Sequence, residues 1–100
     1  MLLYNVTIGV DEAVVEEWVT WMREIHIPDV MKTGHFRDFR FYRILHDNED
    51  GTVSFSVQYF AETIQEVQEY LEFHAPGLIA EHQRMFKNRH VAFRTLLEEI

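Results

Sequence analysis

Each proline of the chain stands two residues after a histidine, in two segments of related sequence. These are EIHIPDVM at residues 24–31 and EFHAPGLI at residues 72–79, which lie 48 positions apart. A proline inside a helix removes a backbone donor and clashes with the carbonyl four residues back, and it pushes the preceding residue out of helical geometry. We therefore expect a kink or a break at Ile27 and at Ala75.

His26 and His74, which precede these prolines, have a structural and a chemical interpretation. Their imidazole N–H groups can bond to helical carbonyls that have lost their donors, and this structural role is the preferred one. The alternative is a general base or a ligand contact at a helix break, because imidazole titrates near neutral pH. His74 is the better candidate for chemistry, since it lies centrally on the apolar stripe of its helix, whereas His26 lies toward the edge of its own.

Sequence patterns typical of other chemistries are missing. The six histidines include neither a His-x-x-x-His nor a His-x-x-Glu-His spacing, and there is no cysteine, so a metal site is not predicted. The nucleophile elbow, the P-loop and the dinucleotide-binding glycine motif do not occur either. No cofactor is expected.

Charge and composition limit the partners and the location of the protein. A formal net charge of −8 disfavours nucleic acid and anionic membrane surfaces, because both attract basic proteins. No run approaches the roughly 18 apolar residues of a membrane span. The lack of cysteine fits a reducing compartment, so a cytoplasmic protein is expected. With 47% hydrophobic residues, the chain can form one ordinary domain over residues 1–100.

The spacing of the apolar residues predicts four strands and two helices. In chain order they are a strand at residues 2–10, a helix at 11–34, a strand at 36–46, a turn at 47–51, a strand at 52–60, a helix at 63–86 and a strand at 90–97. The order β-α-β-β-α-β predicts an α+β fold of the ferredoxin-like type, in which two helices cover one face of a four-stranded antiparallel sheet.

The second face of this sheet has no predicted helix to cover it. Val91 and Phe93 are assigned to the face under the helices. The open face is expected to carry a polar middle with an apolar rim, made of Leu3, Asn5, Thr7, Arg40, Tyr42, Ile44, Ser54, Ser56, Gln58, Phe60, Ala92, Arg94 and Leu96. Such a face can simply be solvated. Its apolar rim instead favours a homodimer, in which two sheets pack together as a dimeric α/β barrel.

The polar middle would then enclose a small cavity, which is the predicted ligand-binding site. Its residues are Asn5, Arg40, Tyr42, Ser54, Ser56, Gln58 and Arg94. An arginine removed from water needs an anion beside it. A carboxylate of the partner subunit is the favoured source of that anion, and a small carboxylate or phosphate ligand is the alternative.

Several strings resemble, in combination, a small bacterial family, domain-of-unknown-function family 4286. They are LYNVT, W-x-x-W-M…H-I-P-D-V-M-x-T-G-x-F, SVQYF, HAP-x-L-x-x-EH and AFRTLLE, and they span nearly the whole chain. The resemblance implies a ferredoxin-like dimeric α/β-barrel protein, with both His-x-Pro segments as family features and no established reaction. At the level of the fold, the chain also resembles antibiotic-biosynthesis-type monooxygenases and haem-degrading enzymes. That likeness implies catalytic positions at Asn5 and His82, although Tyr59 or Phe60 stands where a tryptophan would be wanted.

Two functions therefore remain open. The preferred one is a homodimeric module that binds a small anionic ligand or a partner without catalysis, because no catalytic constellation is visible. The alternative is a small α/β-barrel enzyme of the monooxygenase, isomerase or haem-degrading type. Its candidate catalytic residues would be His74, His82 and Asn5.

Overall fold

The computed structural model describes residues 1–46 and 48–100, so Asp47 of the predicted turn lies outside the described residues. The elements are β1 (Leu2–Asp11), a 3₁₀ turn (Glu12–Val14), α1 (Val15–Trp21), a π-helical turn (Met22–His26), α2 (Ile27–Lys32), β2 (Asp38–Arg43), β3 (Thr52–Ala61), α3 (Ile64–Phe73), α4 (Ala75–Met85) and β4 (His90–Glu98). The strands form one antiparallel sheet in the order β2-β3-β1-β4. The ferredoxin-like α+β fold is thus confirmed.

The hydrophobic core lies between the helices and one face of the two central strands. Tyr4, Ile8 and Val10 of β1 alternate with partly exposed residues, as the period of a strand requires. The helices contribute their apolar stripes to the same core, chiefly through Trp18, Met22, Ile27, Val30, Val67 and Tyr70. No helix within the described residues is long and apolar enough to cross a membrane.

The first helical segment continues through Pro28 without a break. Residues Met22–His26 form a π-helical turn, in which the N–H of Ile27 bonds to the carbonyl of Met22 five residues back. Ile27 itself has helical angles, φ −62° and ψ −44°. Of the two expected outcomes, a kink or a break, the break is absent at Ile27, because the wider turn accommodates the proline and Pro28 occupies the first turn of α2, where its missing N–H costs little. The π-helical turn is the local distortion of the helix next to Pro28.

The second helical segment does break, but one residue earlier than predicted. His74 (φ −121°, ψ −42°) ends α3 and precedes α4, whereas Ala75 is already helical. The histidines do not have the expected structural role either. Within the described chain neither His26 nor His74 donates a side-chain hydrogen bond to a carbonyl, and Nδ1 of His26 is buried without a partner.

The face assignment predicted for β4 is wrong. The register places Arg94 beside Val6 and Ala92 beside Ile8, on the face that the helices cover. Val91 and Phe93 therefore lie on the open face, where they are 72% and 64% exposed. The error has a physical cause, because β4 is an edge strand with apolar residues at both alternating sets of positions.

Gly77 offers a test of the second helix. It lies inside α4, and a Cβ added there would meet no atom within 4 Å. We expect Gly77→Ala to raise the free energy of unfolding by about 0.5–1 kcal/mol, because alanine loses less backbone entropy in a helix. Gly34→Ala is the matched control, since its φ of +82° disfavours a side chain, and it should lower stability in urea denaturation. A stabilising Gly34→Ala would contradict the described backbone.

Candidate functional site

Most of the predicted ligand-binding residues lie on the open sheet face as expected. Several of them form hydrogen bonds or an ion pair with other side chains of that face. The registers place on that face Asn5, Arg40, Tyr42, Ser54, Ser56 and Gln58. Ser56 Oγ donates to Asn5 Oδ1 at 2.6 Å, and Asn5 Nδ2 donates to Thr7 Oγ1 at 3.0 Å. The guanidinium of Arg40 forms an ion pair with Asp38 of the same strand. On the described part of the open face, the arginine of the predicted site thus already has a carboxylate partner.

Arg94 is the member of the predicted site that lies elsewhere. On the helix-covered face it lines both an outer groove and a small inner chamber. Among the described residues, the ion pairs involve Arg37, Arg40 and Arg89 but not Arg94. Its position corrects the predicted site, and its role in ligand binding stays a prediction.

The outer groove runs between α4 and β4 and has a volume of about 510 Å³. It is lined by Ile79, His82, Gln83, Lys87, Asn88, His90, Val91, Ala92 and Arg94. Among residues 1–46 and 48–100, this lining contains two permanent cations, Lys87 and Arg94, and no carboxylate, although the chain carries a net charge of −8. Lys87 also takes part in no ion pair of the described residues.

Two stacked imidazoles form part of the groove wall. The rings of His82 and His90 have centroids 4.0 Å apart and an interplanar angle of 8°. Nε1–H of the buried Trp18 donates to Nε2 of His82 at 2.9 Å, so the neutral His82 carries its proton on Nδ1. Nδ1 of His90 lies 2.9 Å from the carbonyl oxygen of Phe86. A carbonyl can only accept, so the neutral form of His90 carries its proton on Nδ1 and has a lone pair on Nε2.

His82 is held in its neutral form. Burial lowers the pKa of His82 to about 3, with smaller effects in the same direction from His90, His26 and Arg94. Protonation of Nε2 would also break the hydrogen bond from Trp18. At neutral pH His82 is therefore a hydrogen-bond donor through Nδ1, and Nε2 cannot act as a base.

The inner chamber lies between the helices and the sheet and has a volume of about 20 Å³, room for one water-sized group. Its polar lining consists of Tyr4, His26, Tyr59, Tyr70, His82 and Arg94. Burial lowers the pKa of His26 to about 4, opposed by Asp29 and assisted by Arg94. Burial also raises the pKa of the tyrosine hydroxyls. At neutral pH Arg94 is thus the charged group among the described residues of this lining.

The three candidate catalytic residues from the sequence do not come together. Asn5 lies on the open face and His82 under the helices. The ring of His74 packs against His35, with centroids 5.1 Å apart, and lines neither the groove nor the chamber. An enzymatic role for them stays a prediction. Within the described residues no three His, Asp or Glu side chains are placed to hold a metal ion.

The sequence reasoning missed Lys87 and His90. His90 follows His82 by eight positions. This spacing matches neither the period of a helix nor that of a strand, because the two residues belong to α4 and β4 and a turn separates these elements. The one available signal was the clustering of the basic residues Lys87, Arg89 and Arg94 with His90 in an acidic chain.

The chain belongs to the family described as Domain of unknown function (DUF4286), whose model matches residues 1–100. The predicted resemblance to this family is therefore confirmed. No curated protein matches the chain.

Solved structures share the fold at low sequence identity. An ethyl tert-butyl ether D (EthD) family protein from Bacillus halodurans C-125 is 13% identical, with a TM-score of 0.71 and 100% of each chain covered. HapK from Hahella chejuensis is 12% identical, with a TM-score of 0.72, covering 100% of this chain and 93% of that one. A dimeric ferredoxin-like protein from an uncultured marine organism is 12% identical, with a TM-score of 0.67, covering 100% and 95%. These similarities establish the fold alone.

The suppressed pKa of His82 predicts a loss of stability in acid. The folded pKa of about 3 lies below the ordinary value of 6.5, so between these values the unfolded chain binds a proton that the folded protein does not. The free energy of unfolding should therefore fall as the pH drops below about 6.5, by about 1.4 kcal/mol per pH unit for this group.

His82→Gln isolates this effect, because a glutamine oxygen can still accept from Trp18 but does not titrate. Urea denaturation at pH 7 and pH 4 should show that the variant loses about 2–3 kcal/mol less stability than the wild type. Carboxylates and His26 titrate in both proteins and cancel in the comparison. Equal losses in the two proteins would show that His82 is protonated in the folded state.

Proposed function

We propose that this member of the DUF4286 family is a homodimer that binds a small organic anion in the groove between α4 and β4. The observation that supports the proposal most strongly is the pair of cations, Lys87 and Arg94, which form no ion pair with the described residues and share a groove whose described lining contains no carboxylate. The proposal keeps the class of ligand predicted from the sequence, an anion. It places this ligand on the helix-covered face of β4 instead of in the space between two sheets.

The charge distribution supports an anion over a neutral ligand. The chain has 17 acidic and 9 basic residues, so a carboxylate would be the commonest charged neighbour of any exposed cation. Lys87 and Arg94 nevertheless face a shared groove that no carboxylate of the described residues lines. A concave surface with charges of one sign focuses the field and attracts a counterion, and the planar guanidinium suits a carboxylate or a phosphate.

The groove also favours an organic ligand over an inorganic ion. Its volume of about 510 Å³ lies within the roughly 300–1,000 Å³ of small-molecule sites. Ile79 and Ala92 supply an apolar part of the lining, beside the stacked rings of His82 and His90. This combination accommodates a flat apolar body with an anionic end.

Anion binding can be measured by isothermal titration calorimetry with phenylacetate as the probe. Arg94→Gln should weaken binding about tenfold or more, because it removes a charge-assisted hydrogen bond. Lys87→Gln should weaken it by a smaller factor, since the ammonium acts as a point charge. Arg84→Gln is the matched control, as Arg84 lies exposed on α4 outside the groove lining, and it should leave affinity unchanged.

Equal losses in Arg84→Gln and Arg94→Gln would mean that only the net charge of the protein attracts the anion. No heat of binding in the wild type, together with no shift of groove resonances in NMR spectra at millimolar phenylacetate, would overturn the anion-binding proposal.

The homodimer is supported by the chemistry of the open sheet face. Val91, Phe93 and Leu97 expose apolar surface there, and Tyr42 lies across the sheet on the same face. On β2 and β3 that face carries charge only at Asp38 and Arg40, which neutralise each other. Two copies of an acidic chain can therefore bring this face together without strong repulsion.

A similarly folded marine protein is described as a dimeric ferredoxin-like protein, which supports the same assembly. The lack of cysteine supports a cytoplasmic location for the dimer. Both statements remain part of the proposal.

Phe93→Asp tests the assembly. A charge placed on the open face should destabilise the interface, so the variant is expected to be monomeric in analytical ultracentrifugation at micromolar concentration, where the wild type is a dimer. The matched control is Phe73→Asp, because Phe73 is 69% exposed at the end of α3 whereas Phe93 is 64% exposed. A monomeric wild type, or dissociation of both variants, would contradict assembly through the sheet.

A further inference from the structure

We infer that the ligand of the groove is a small acid that also carries a hydroxyl group, and that Nε2 of His90 accepts a hydrogen bond from that hydroxyl. The inference rests on the proposed anion-binding function and names the class of ligand: hydroxylated aromatic acids. Lys87 and Arg94 hold the anionic group, and His90 decides which acids bind well.

The hydrogen bonds of His90 leave one nitrogen for a ligand. Nδ1 is held by the carbonyl of Phe86 at 2.9 Å. No side chain or backbone group of the described residues donates to Nε2, and the half-buried ring lines the groove. Nε2 is therefore a hydrogen-bond acceptor that a bound molecule can use.

The ring of His90 cannot easily exchange its two nitrogens. A half-turn about the bond to the ring would break the hydrogen bond to Phe86, and the stack on His82, with centroids 4.0 Å apart and planes at 8°, fixes the ring plane. The neighbour His82 presents a donor, because Trp18 holds its Nε2. The two imidazoles thus present opposite hydrogen-bonding characters to the groove.

The cations and His82 cannot satisfy the hydroxyl of a ligand in the way that His90 can. Lys87, Arg94 and Nδ1 of His82 can only donate, and they match the oxygens of a carboxylate, whereas the amides of Gln83 and Asn88, which also line the groove, can both donate and accept. His90 Nε2 requires a donor from the same ligand. An ammonium donor is disfavoured, since Lys87 and Arg94 line the same groove and repel a positive charge. A neutral hydroxyl satisfies the acceptor without that repulsion.

Selectivity follows from the cost of leaving this acceptor unpaired. A site built to hydrogen-bond a hydroxyl rejects the analogue that lacks it, because binding removes water from the acceptor without replacing the lost bond. His90 and Arg94 are four residues apart on the same side of β4, so their Cα atoms are roughly 13 Å apart. In a ligand, an aromatic ring between the anionic group and the hydroxyl can cover part of this distance.

Isothermal titration calorimetry should compare the affinity for phenylacetate with the affinities for 2-, 3- and 4-hydroxyphenylacetate. These three isomers differ in the distance between the carboxylate and the hydroxyl. We expect at least one of the three isomers to bind about five- to tenfold more tightly than phenylacetate. The hydroxyl of that isomer should also shift the ¹⁵N resonance of His90 Nε2 in imidazole-labelled protein, and phenylacetate should shift it less.

His90→Asn is the decisive variant. The asparagine amide can still donate to the carbonyl of Phe86, which preserves the local fold, but it has no acceptor at the position of Nε2. The preference for the hydroxylated isomer should disappear, so that this isomer and phenylacetate bind to the variant with equal affinity. His46→Asn, which replaces an exposed histidine outside the groove, is the control and should keep the preference. Circular dichroism and the midpoint of urea denaturation check that both variants are folded.

The outcomes separate this inference from the proposed function. If none of the four compounds binds, the anion-binding function itself fails. If all four bind equally, or if the preference survives in His90→Asn, the function stands and the role of His90 is wrong. Loss of the preference in His46→Asn as well would also overturn it.

Discussion

The hydrogen bond from Trp18 to His82 is the interaction on which the rest of the site depends. It joins α1 to α4 across 64 positions of sequence and is buried. Trp18 is fully buried against the rings of Phe41 and Phe55, so its indole N–H has no access to water and must find an acceptor in the protein. His82 supplies it. The bond therefore fixes both the position of α4 and the protonation of the imidazole.

This neutral imidazole affects the polar groups of the groove. Because His82 is uncharged, His90 can stack on it without repulsion, with Nδ1 on the side of Phe86. Arg94 and Lys87 contribute permanent positive charge to the groove, and the two histidines contribute hydrogen-bonding groups. The two faces of the sheet also differ in character. On the open face the polar side chains of the central strands bond to one another, whereas on the helix-covered face Arg94 takes part in no ion pair with the described residues.

The sequence was sufficient for the fold and for the orientation of the central strands. In β1 and β3, one set of alternating residues is buried by helices, so Val57 and Ser56 could be assigned to opposite faces without a structure. The assignment failed at β4, where both sets of alternating residues are largely exposed. The sequence of this strand therefore does not indicate which of its two faces the helices cover. Arg94 was therefore placed on the wrong side. The proline segments failed for a related reason, since a π-helical turn accommodates Pro28 in a way that local propensity does not indicate.

By itself the sequence determined the ferredoxin-like order of elements, the membership of the family and the presence of an open sheet face. These depend on the local period of burial, which each segment carries in its own residues. Only the tertiary structure showed where the two histidines of the His-x-Pro segments lie and which residues form the groove between α4 and β4. His26 lines the chamber, His74 packs against His35, and the groove is formed by His82, His90 and Arg94. The protonation of a histidine is set by the partners of its two nitrogens, and for His82 that partner comes from a distant helix.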